Sequence, residues 1–459
     1  MKLAKKILGS FLYFSSFGLA DPGDLISYNY QNTLSVTVIE FVMNSLGTDL
    51  ALPVYPISIY NIQYESHRPD GTIDTLAGLV SIPQSPLEAF PILSYQHGTT
   101  SLDSDAPSIT GMSLDNFEVT LIGLISSSSG FISIFPDYEG LGQSDTYHPY
   151  IISDSYTRAV VNMVRSVKEL SFELEGDDRF QFNEQLFLLG YSEGGYATLA
   201  AQRGIQLYHS DEMTVTASFP MAGPYDLATT MVDYFLSIPS YSSPYYVPYV
   251  LTSHLWYYEG LDVDFGDYFE SFWADTLPSL YDGTHSGEEI NALMPDNPLD
   301  ILLPDVLEDF EGNEDHFFRQ TLQQNTLLDW IPESPTYLYH GLGDDIITYD
   351  NAQVAYDTFL NNGAEEVNLI LIAEELGGHA EVAVICLLEG FDIIMDYQAI
   401  SIKGDINSDG LVTLNDLSLL TAYTLLQNML TEFQFWAGDL DYDNQHSVID
   451  LLMVAEAIQ

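Results

Sequence analysis

Residues Leu186–Ala200 read LFLLGYSEGGYATLA. The apolar run Leu186-Phe187-Leu188-Leu189 has the length of a buried strand, and the small residues from Gly195 onward favour a helix. Between them lies Gly190-Tyr191-Ser192-Glu193-Gly194, a Gly-x-Ser-x-Gly pattern. A serine hydroxyl is a poor nucleophile until a tight strand-to-helix turn exposes it beside a base and backbone donors. Such a turn brings strand and helix so close that a side chain at either flanking position would clash, which explains the two glycines. Ser192 is therefore the candidate nucleophile, with the Glu193 amide as one oxyanion donor. The five-residue pattern alone also fits an ordinary Gly-rich turn. The strand before it and the Gly-Gly-Tyr-Ala helix after it favour the catalytic reading.

Working outward, the same strand-then-helix rhythm recurs. Pro56–Pro83 holds two strand-like segments around Arg68-Pro69-Asp70-Gly71, a hairpin signal. Phe90–Tyr95 is a strand running into His97-Gly98-Thr99-Thr100. Phe131–Phe135 is another, running into the loop Pro136–Gly142. Val160, Val161, Val164 and Val167 fall at helical spacing within Thr157–Leu170. Val215–Phe219, Pro335–Tyr339 and Val367–Ile372 read as later strands, and Glu381–Ile394 as a closing helix. Strands alternating with helices predict an α/β fold with a mostly parallel sheet. Met231–Trp330 breaks the rhythm with tyrosine, proline and acid, and reads as helical insertions forming a cap. Tyr245, Tyr246, Tyr249, Trp256 and Tyr257 could line an acyl or aromatic pocket there, or pack within the cap.

A serine nucleophile needs a base, and the base an orienting carboxylate. Of ten histidines, His379 sits after a strand, late in the chain, in Gly377-Gly378-His379-Ala380. The glycines suit a loop that places the imidazole over Ser192. His97 and His340, each followed by glycine at a strand end, are rivals that more naturally shape loops. Asp344 follows a strand in HGLGDDIIT and is the candidate acid, with Asp345 adjacent and not eliminated. The order Ser192, Asp344, His379 is the one expected of an α/β-hydrolase. The second oxyanion donor belongs on the loop after Phe90–Tyr95, and the Thr99 amide fits.

Taken in order, YQHGTTS, PDYEGLGQS, GYSEGGYA, AGPYDL, HGLGDD and GGHA resemble the secreted α/β-hydrolases that include fungal secretory lipases and related bacterial lipases and esterases. The resemblance spans about residues 50–395. It implies hydrolysis of carboxylic esters through an acyl-serine intermediate. In that scheme Ser192 attacks, His379 shuttles the proton, Asp344 orients the imidazole, and the amides of Glu193 and Thr99 hold the oxyanion. The cysteines of secreted fungal members are missing, so no cap disulfide is implied. A serine exopeptidase of the same fold, or a non-catalytic binding protein built on it, are the competing expectations.

The 459 residues suffice for one large domain and a smaller one. With 67 Asp plus Glu against 11 Lys plus Arg, the formal charge is −56. Such a chain is repelled by nucleic acid and anionic membrane surfaces. The acidity is spread along the chain and suits salt- or calcium-rich surroundings that screen it. Residues 1–20 combine Lys2, Lys5 and Lys6, the apolar stretch Ile7–Phe17 and small Gly18-Leu19-Ala20. That is the pattern of a secretory signal, and it predicts a secreted, extracellular protein without a membrane span. The lone Cys386 lies in an apolar run and reads as a core thiol.

Residues 404–459 differ in texture from the catalytic region at 21–400. Asp405–Asp416 is a twelve-residue loop with Asp405, Asn407, Asp409 and Asp416 at positions 1, 3, 5 and 12, and Gly410 at position 6. This is how a chain wraps a hard cation in oxygen, with a backbone carbonyl, here that of Leu411, at position 7. The pattern repeats 34 residues on as Asp439, Asp441, Asp443, Gln445 and Asp450. Each loop leads into an apolar helix. The doubled pattern resembles a type I dockerin, which implies bound calcium and a cohesin-type scaffold partner, read through Leu414 and Asn415 and through Val448 and Ile449. The second loop departs from the pattern, with Asn444 in place of glycine and His446 in place of an apolar residue. Asparagine also accepts the left-handed backbone, whereas His446 replaces the apolar tie between the two loops, so calcium binding is the weaker expectation for the second loop.

Overall fold

The computed structural model describes residues 21–46, 53–86, 88–113, 115–407, 409–425, 430–440 and 445–458. The leader expected at 1–20 lies outside them, as do Asp441, Asp443 and Asn444 of the second tail loop. One ten-stranded sheet organises the chain. Its order is β1 (Leu25–Leu34), β2 (Ile57–His67), β3 (Ile73–Pro83), β5 (Ile132–Pro136), β4 (Glu88–Gln96), β6 (Gln181–Tyr191), β7 (Val215–Met221), β8 (Thr336–Gly341) and β9 (Val367–Ile372). The two-residue β10 (Ser401–Ile402) pairs with β4. From β5 to β9 every neighbour is parallel, while β1, β2, β3 and β5 meet antiparallel. The β2–β3 hairpin keeps register from Ile57↔Pro83 to His67↔Ile73, its turn closed by the Thr72 amide on Asp70 Oδ1.

The central strands are continuously apolar because both sheet faces are covered. Leu186, Phe187, Leu188 and Leu189 are buried, alternating between two cores. One core carries the helices Ser153–Glu173 and Glu193–Tyr208, the other Phe117–Ser128 and His379–Tyr397. The chain leaves β4 for β5 on one side and then returns to β6 on the other. That reversal opens a crevice beyond the carboxyl ends of β4 and β6, where open α/β sheets bind ligands. Gln96 ends β4 and Tyr191 ends β6, so His97-Gly98-Thr99 and Ser192 flank this crevice.

The segment between β7 and β8 forms a helical cap whose longest helix is Tyr246–Glu259. Its Leu251, Leu255, Leu299, Phe310 and Phe318 join the core on the Ser153–Glu173 face. β1 was not anticipated from the sequence. It is an edge strand, exposed along most of its length and bulged near Ser27 and Asn32, so no alternation marks it. Among the described residues no helix is long and apolar enough to cross a membrane.

The tail has its own small core of Ile406, Val412, Leu420, Phe433, Ala437 and Val454. It is not a free appendage: Ser401↔Ala89 and Ile402↔Glu88 add β10 to the large sheet, and Ala89 belongs to the tail's core. Lys403 Nζ donates to the carbonyls of Trp436 and Asp439 at 2.6 and 2.7 Å, fixing the junction.

Candidate active site

Ser192 is the single residue between the end of β6 and the helix Glu193–Tyr208. Its backbone is held at φ 60°, ψ −122°, a conformation L-residues rarely adopt. The Ser192 amide donates to Met221 O at 2.9 Å, locking the turn to the end of β7. The glycines are required by proximity. A Cβ at Gly194 would stand 1.9 Å from Gln96 O, and one at Gly190 would stand 2.4 Å from Gly194 O. Backbone cannot yield as a flexible side chain would. Gly194→Ala is therefore expected to lower unfolding stability by about 1–3 kcal/mol, the range for overpacking, and to move the nucleophile. A urea midpoint unchanged from the parent, with full activity, would contradict the close approach.

The three candidate catalytic side chains, distant in sequence, come together at this turn. His379 Nδ1 lies 2.6 Å from Asp344 Oδ2, and His379 Nε2 lies 2.8 Å from Ser192 Oγ. A carboxylate only accepts, so the imidazole hydrogen sits on Nδ1 and the Nε2 lone pair faces the serine hydroxyl. That is the tautomer a general base needs. His379 is the first residue of the helix His379–Tyr397, not a loop residue, and Tyr191 Oη donates to its carbonyl at 2.7 Å. Asp345, the rival acid, instead accepts the His379 amide on Oδ1 at 3.2 Å.

The Asp344 side chain is fully enclosed. Burial opposes its charge, but hydrogen bonds from His340 and His379 overcome that and hold its carboxyl well below the usual range. Oδ1 accepts the amides of Ile346 and Ile347 at 2.9 and 2.8 Å. Cys386 is buried on the His379 helix, and burial pushes its thiol up to about 12, leaving it inert.

The residue pair read as oxyanion donors flanks the nucleophile. Glu193 opens the helix directly after Ser192, and Thr99 follows the end of β4. The Thr99 loop is held from below, where Glu118 Oε1 accepts the Gly98 amide at 3.0 Å and Oε2 accepts Tyr95 Oη at 2.8 Å. Thr99 Oγ1 bonds Tyr150 Oη at 3.0 Å. The buried Glu193 carboxyl accepts from Tyr156 Oη at 2.8 Å and contacts His148 Nε2 at 2.9 Å. His97, the other rival base, is buried and stacks on Tyr138 at 4.1 Å. Glu118, His148, Tyr150 and Tyr156 escaped the sequence reading because no local pattern marks them.

A cavity opens at Ser192 and Glu193. Its walls are apolar, including Leu227, Phe235, Val247, Val250 and Phe310 from the cap. Of the five cap aromatics considered, only Tyr246 lines it. Tyr249 stacks between Tyr150 and Tyr281, Trp256 packs on Tyr147 and Phe265, Tyr245 lies against Tyr246, and Tyr257 reaches Asp154. The cap is also bonded to the Thr99 loop: Tyr249 Oη donates to Thr100 O at 3.3 Å and Ser101 Oγ donates to His285 O at 2.8 Å.

In the tail, oxygens of Asp405, Asp409 and Asp416 lie within 4.8 Å of one another. Gly410 adopts φ 82° at the sharp turn, and its amide bonds Asp405 Oδ2. Asn407 Oδ1 accepts the Asp409 amide, and Leu411 donates its amide to Asp409 Oδ1. The bonding repeats 34 residues apart. Asp416 accepts the amides of Ile406 and Thr413, and Asp450 those of Leu440 and Ser447, the Thr413 and Ser447 bonds each at 2.8 Å. Of the second loop, Asp439, Gln445 and Asp450 are described. His446, set where an apolar residue was expected, packs on Phe435 and Tyr423 and donates from Nε2 to Phe435 O at 2.8 Å.

No protein-family model matches the chain. Lipase 10 of Candida albicans is 22% identical over 383 residues, covering 79% of this chain and 74% of that protein. Among solved structures, a candidate hydrolase from Legionella pneumophila superposes with a TM-score of 0.73 at 26% identity, over 81% of this chain and 98% of that one. The rice cell wall degrading esterase LipA from Xanthomonas oryzae gives 0.70 at 24%, over 82% and 99%. Candida antarctica lipase A in its closed state gives 0.60 at 18%, over 82% and 83%. The fold is that of the α/β-hydrolases, shared with esterases and lipases.

Proposed function

We propose that this chain is a serine hydrolase that cleaves carboxylic esters. The observation that carries the reading is His379 bridging Ser192 Oγ at 2.8 Å and Asp344 Oδ2 at 2.6 Å at the strained turn. In this scheme His379 Nε2 accepts the Ser192 proton as Oγ adds to the acyl carbon. The carbonyl oxygen takes up negative charge facing the amides of Glu193 and Thr99. Collapse passes the proton from His379 to the departing alcohol oxygen and leaves an acyl-serine. Water then repeats the sequence, and the carboxylic acid leaves. No metal or organic cofactor is needed for these steps.

The apolar cavity beside Ser192 favours an aliphatic acyl group over the charged amino-acyl group of an exopeptidase substrate. A structural neighbour that degrades plant cell walls supports an ester carried on a polysaccharide. The test is a panel of p-nitrophenyl esters from acetate to laurate set against aminoacyl-nitroanilides. Hydrolysis of butyrate and longer esters, with little amidase activity, is expected. Strong amidase without esterase activity would establish the exopeptidase reading instead.

For the tail we propose a calcium-folded docking module for a cohesin-type partner on a secreted enzyme. The converging carboxylates of Asp405, Asp409 and Asp416 and the matching bonds 34 residues on support calcium. Leu414, Val448 and Ile449 are 68%, 65% and 55% exposed, which supports an apolar contact with a partner. Calorimetry of the full chain is expected to show a calcium-dependent transition for the tail, removed by chelation, with esterase activity largely kept. A thermogram and tail fold identical with and without calcium would overturn this.

A further inference from the structure

β8 ends at His340-Gly341, and the chain from Asp344 to Ile347 folds back over His340, which is fully buried. His340 Nε2 lies 2.9 Å from Ile347 O and 3.3 Å from Asp344 Oδ2. Both oxygens only accept, so Nε2 carries the hydrogen, which it donates to Ile347 O with Asp344 Oδ2 beside it at ion-pair distance. Nδ1 is buried without a partner among the described residues. His340 thus links the loop carbonyl of Ile347 to the same carboxylate oxygen that His379 uses. Asp344 meets two amides on Oδ1, the His379 imidazole on Oδ2 at 2.6 Å, and the His340 imidazole at 3.3 Å from the same oxygen.

We propose that His340 is a positioning residue for Asp344, its Nε2–H fixing the carboxylate plane that aims His379 and drawing charge from the oxygen that His379 uses. The proposal rests on the ester-hydrolase reading of the Ser192 site. Without this donor, Oδ2 turns and becomes a stronger acceptor for His379. Two consequences follow together: the imidazole is aimed less well, and the acid limb of the pH–rate profile moves to higher pH. The other ionisable groups around His379 and Asp344 are Asp345 on the same loop, Tyr191 at the end of β6, Cys386 and Glu381 on the His379 helix, and Tyr234, Tyr241 and Tyr246 from the cap, and the substitutions below remove none of them.

The test compares His340→Leu and His340→Gln in the full chain, with p-nitrophenyl butyrate from pH 4 to 9 and circular dichroism to confirm folding. A glutamine amide reaches the place of Nε2 and can donate there. For His340→Leu, kcat is expected to fall about 10- to 100-fold, the cost of misaiming a catalytic group, with KM within about twofold. The acid limb of kcat/KM is expected to move to higher pH. His340→Gln is expected to recover most of kcat and to return the limb. A folded leucine variant with unchanged kcat, or equal losses in both variants with the limb unmoved, would overturn the proposal. Should the leucine variant fail to fold, His340→Asn, whose amide reaches only the place of Nδ1, serves as the variant without a donor at Nε2 and is expected to show the same losses relative to His340→Gln. A parent enzyme with no esterase activity and no labelling at Ser192 would instead strike the underlying reading.

Discussion

Ser192→Ala is expected to lower kcat for ester hydrolysis by about 10⁴- to 10⁶-fold, in a protein that remains folded. The size follows from what the hydroxyl does. Removing it abolishes the acyl-serine route and leaves only the residual acceleration that a shaped cavity and two backbone amides give a direct attack by water. Folding should survive because Ser192 makes its structural bond through the backbone, from its amide to Met221 O at 2.9 Å, and alanine keeps that bond. The φ of 60° is no easier for alanine than for serine, so the elbow is neither relieved nor further strained. Kinetics with p-nitrophenyl butyrate, normalised to folded protein, measure this. A loss of less than tenfold would show that another group carries the attack.

Asp344→Asn is expected to lower kcat by about 10⁴-fold, because the amide reverses the logic of the site while keeping its shape. Asparagine presents a donor to His379 Nδ1, or an acceptor only after rotation against the amides of Ile346 and Ile347, which hold Oδ1 at 2.9 and 2.8 Å. The bound imidazole then carries its hydrogen on Nε2 and has no lone pair for Ser192. Asp345 cannot take over: its Oδ1 already accepts the His379 amide, on the backbone side of the histidine. The loss should fall in kcat, with KM little changed, since Asp344 does not line the cavity. An equal loss for Asp345→Asn, with Asp344→Asn mild, would reassign the acid.

What could be read from the sequence was what is local or ordered along the chain. The nucleophile's strand, glycines and helix occupy fifteen consecutive residues, so Ser192 stood out. Asp344 and His379 each follow a strand of the parallel sheet, and strand ends in such a sheet gather along one edge; chain order did the rest. His340 was taken as a loop shaper and does bond the loop at Ile347 O, but its approach to Asp344 Oδ2 at 3.3 Å leaves no mark in the local sequence. Tyr249 and Trp256 could be read as pocket walls or as cap packing, and they pack inside the cap, because the direction a cap side chain takes is set by distant neighbours such as Tyr150 and Tyr147. Glu118 and His148 stayed hidden for a related reason. Their partners, Gly98 and Glu193, lie 20 and 45 residues away, and no periodicity records a contact of that kind. β1 lacks the alternation of a half-buried strand because it closes an exposed edge.

The convergence of Ser192, His379 and Asp344 is tested most directly by covalent labelling. The full chain is incubated with a fluorophosphonate, and the modified peptide is identified by mass spectrometry. One equivalent of phosphonyl group on Ser192 is expected, formed slowly or not at all once His379 is replaced by alanine. A parent protein that stays unlabelled, or that carries the group on a different residue, would contradict the assignment.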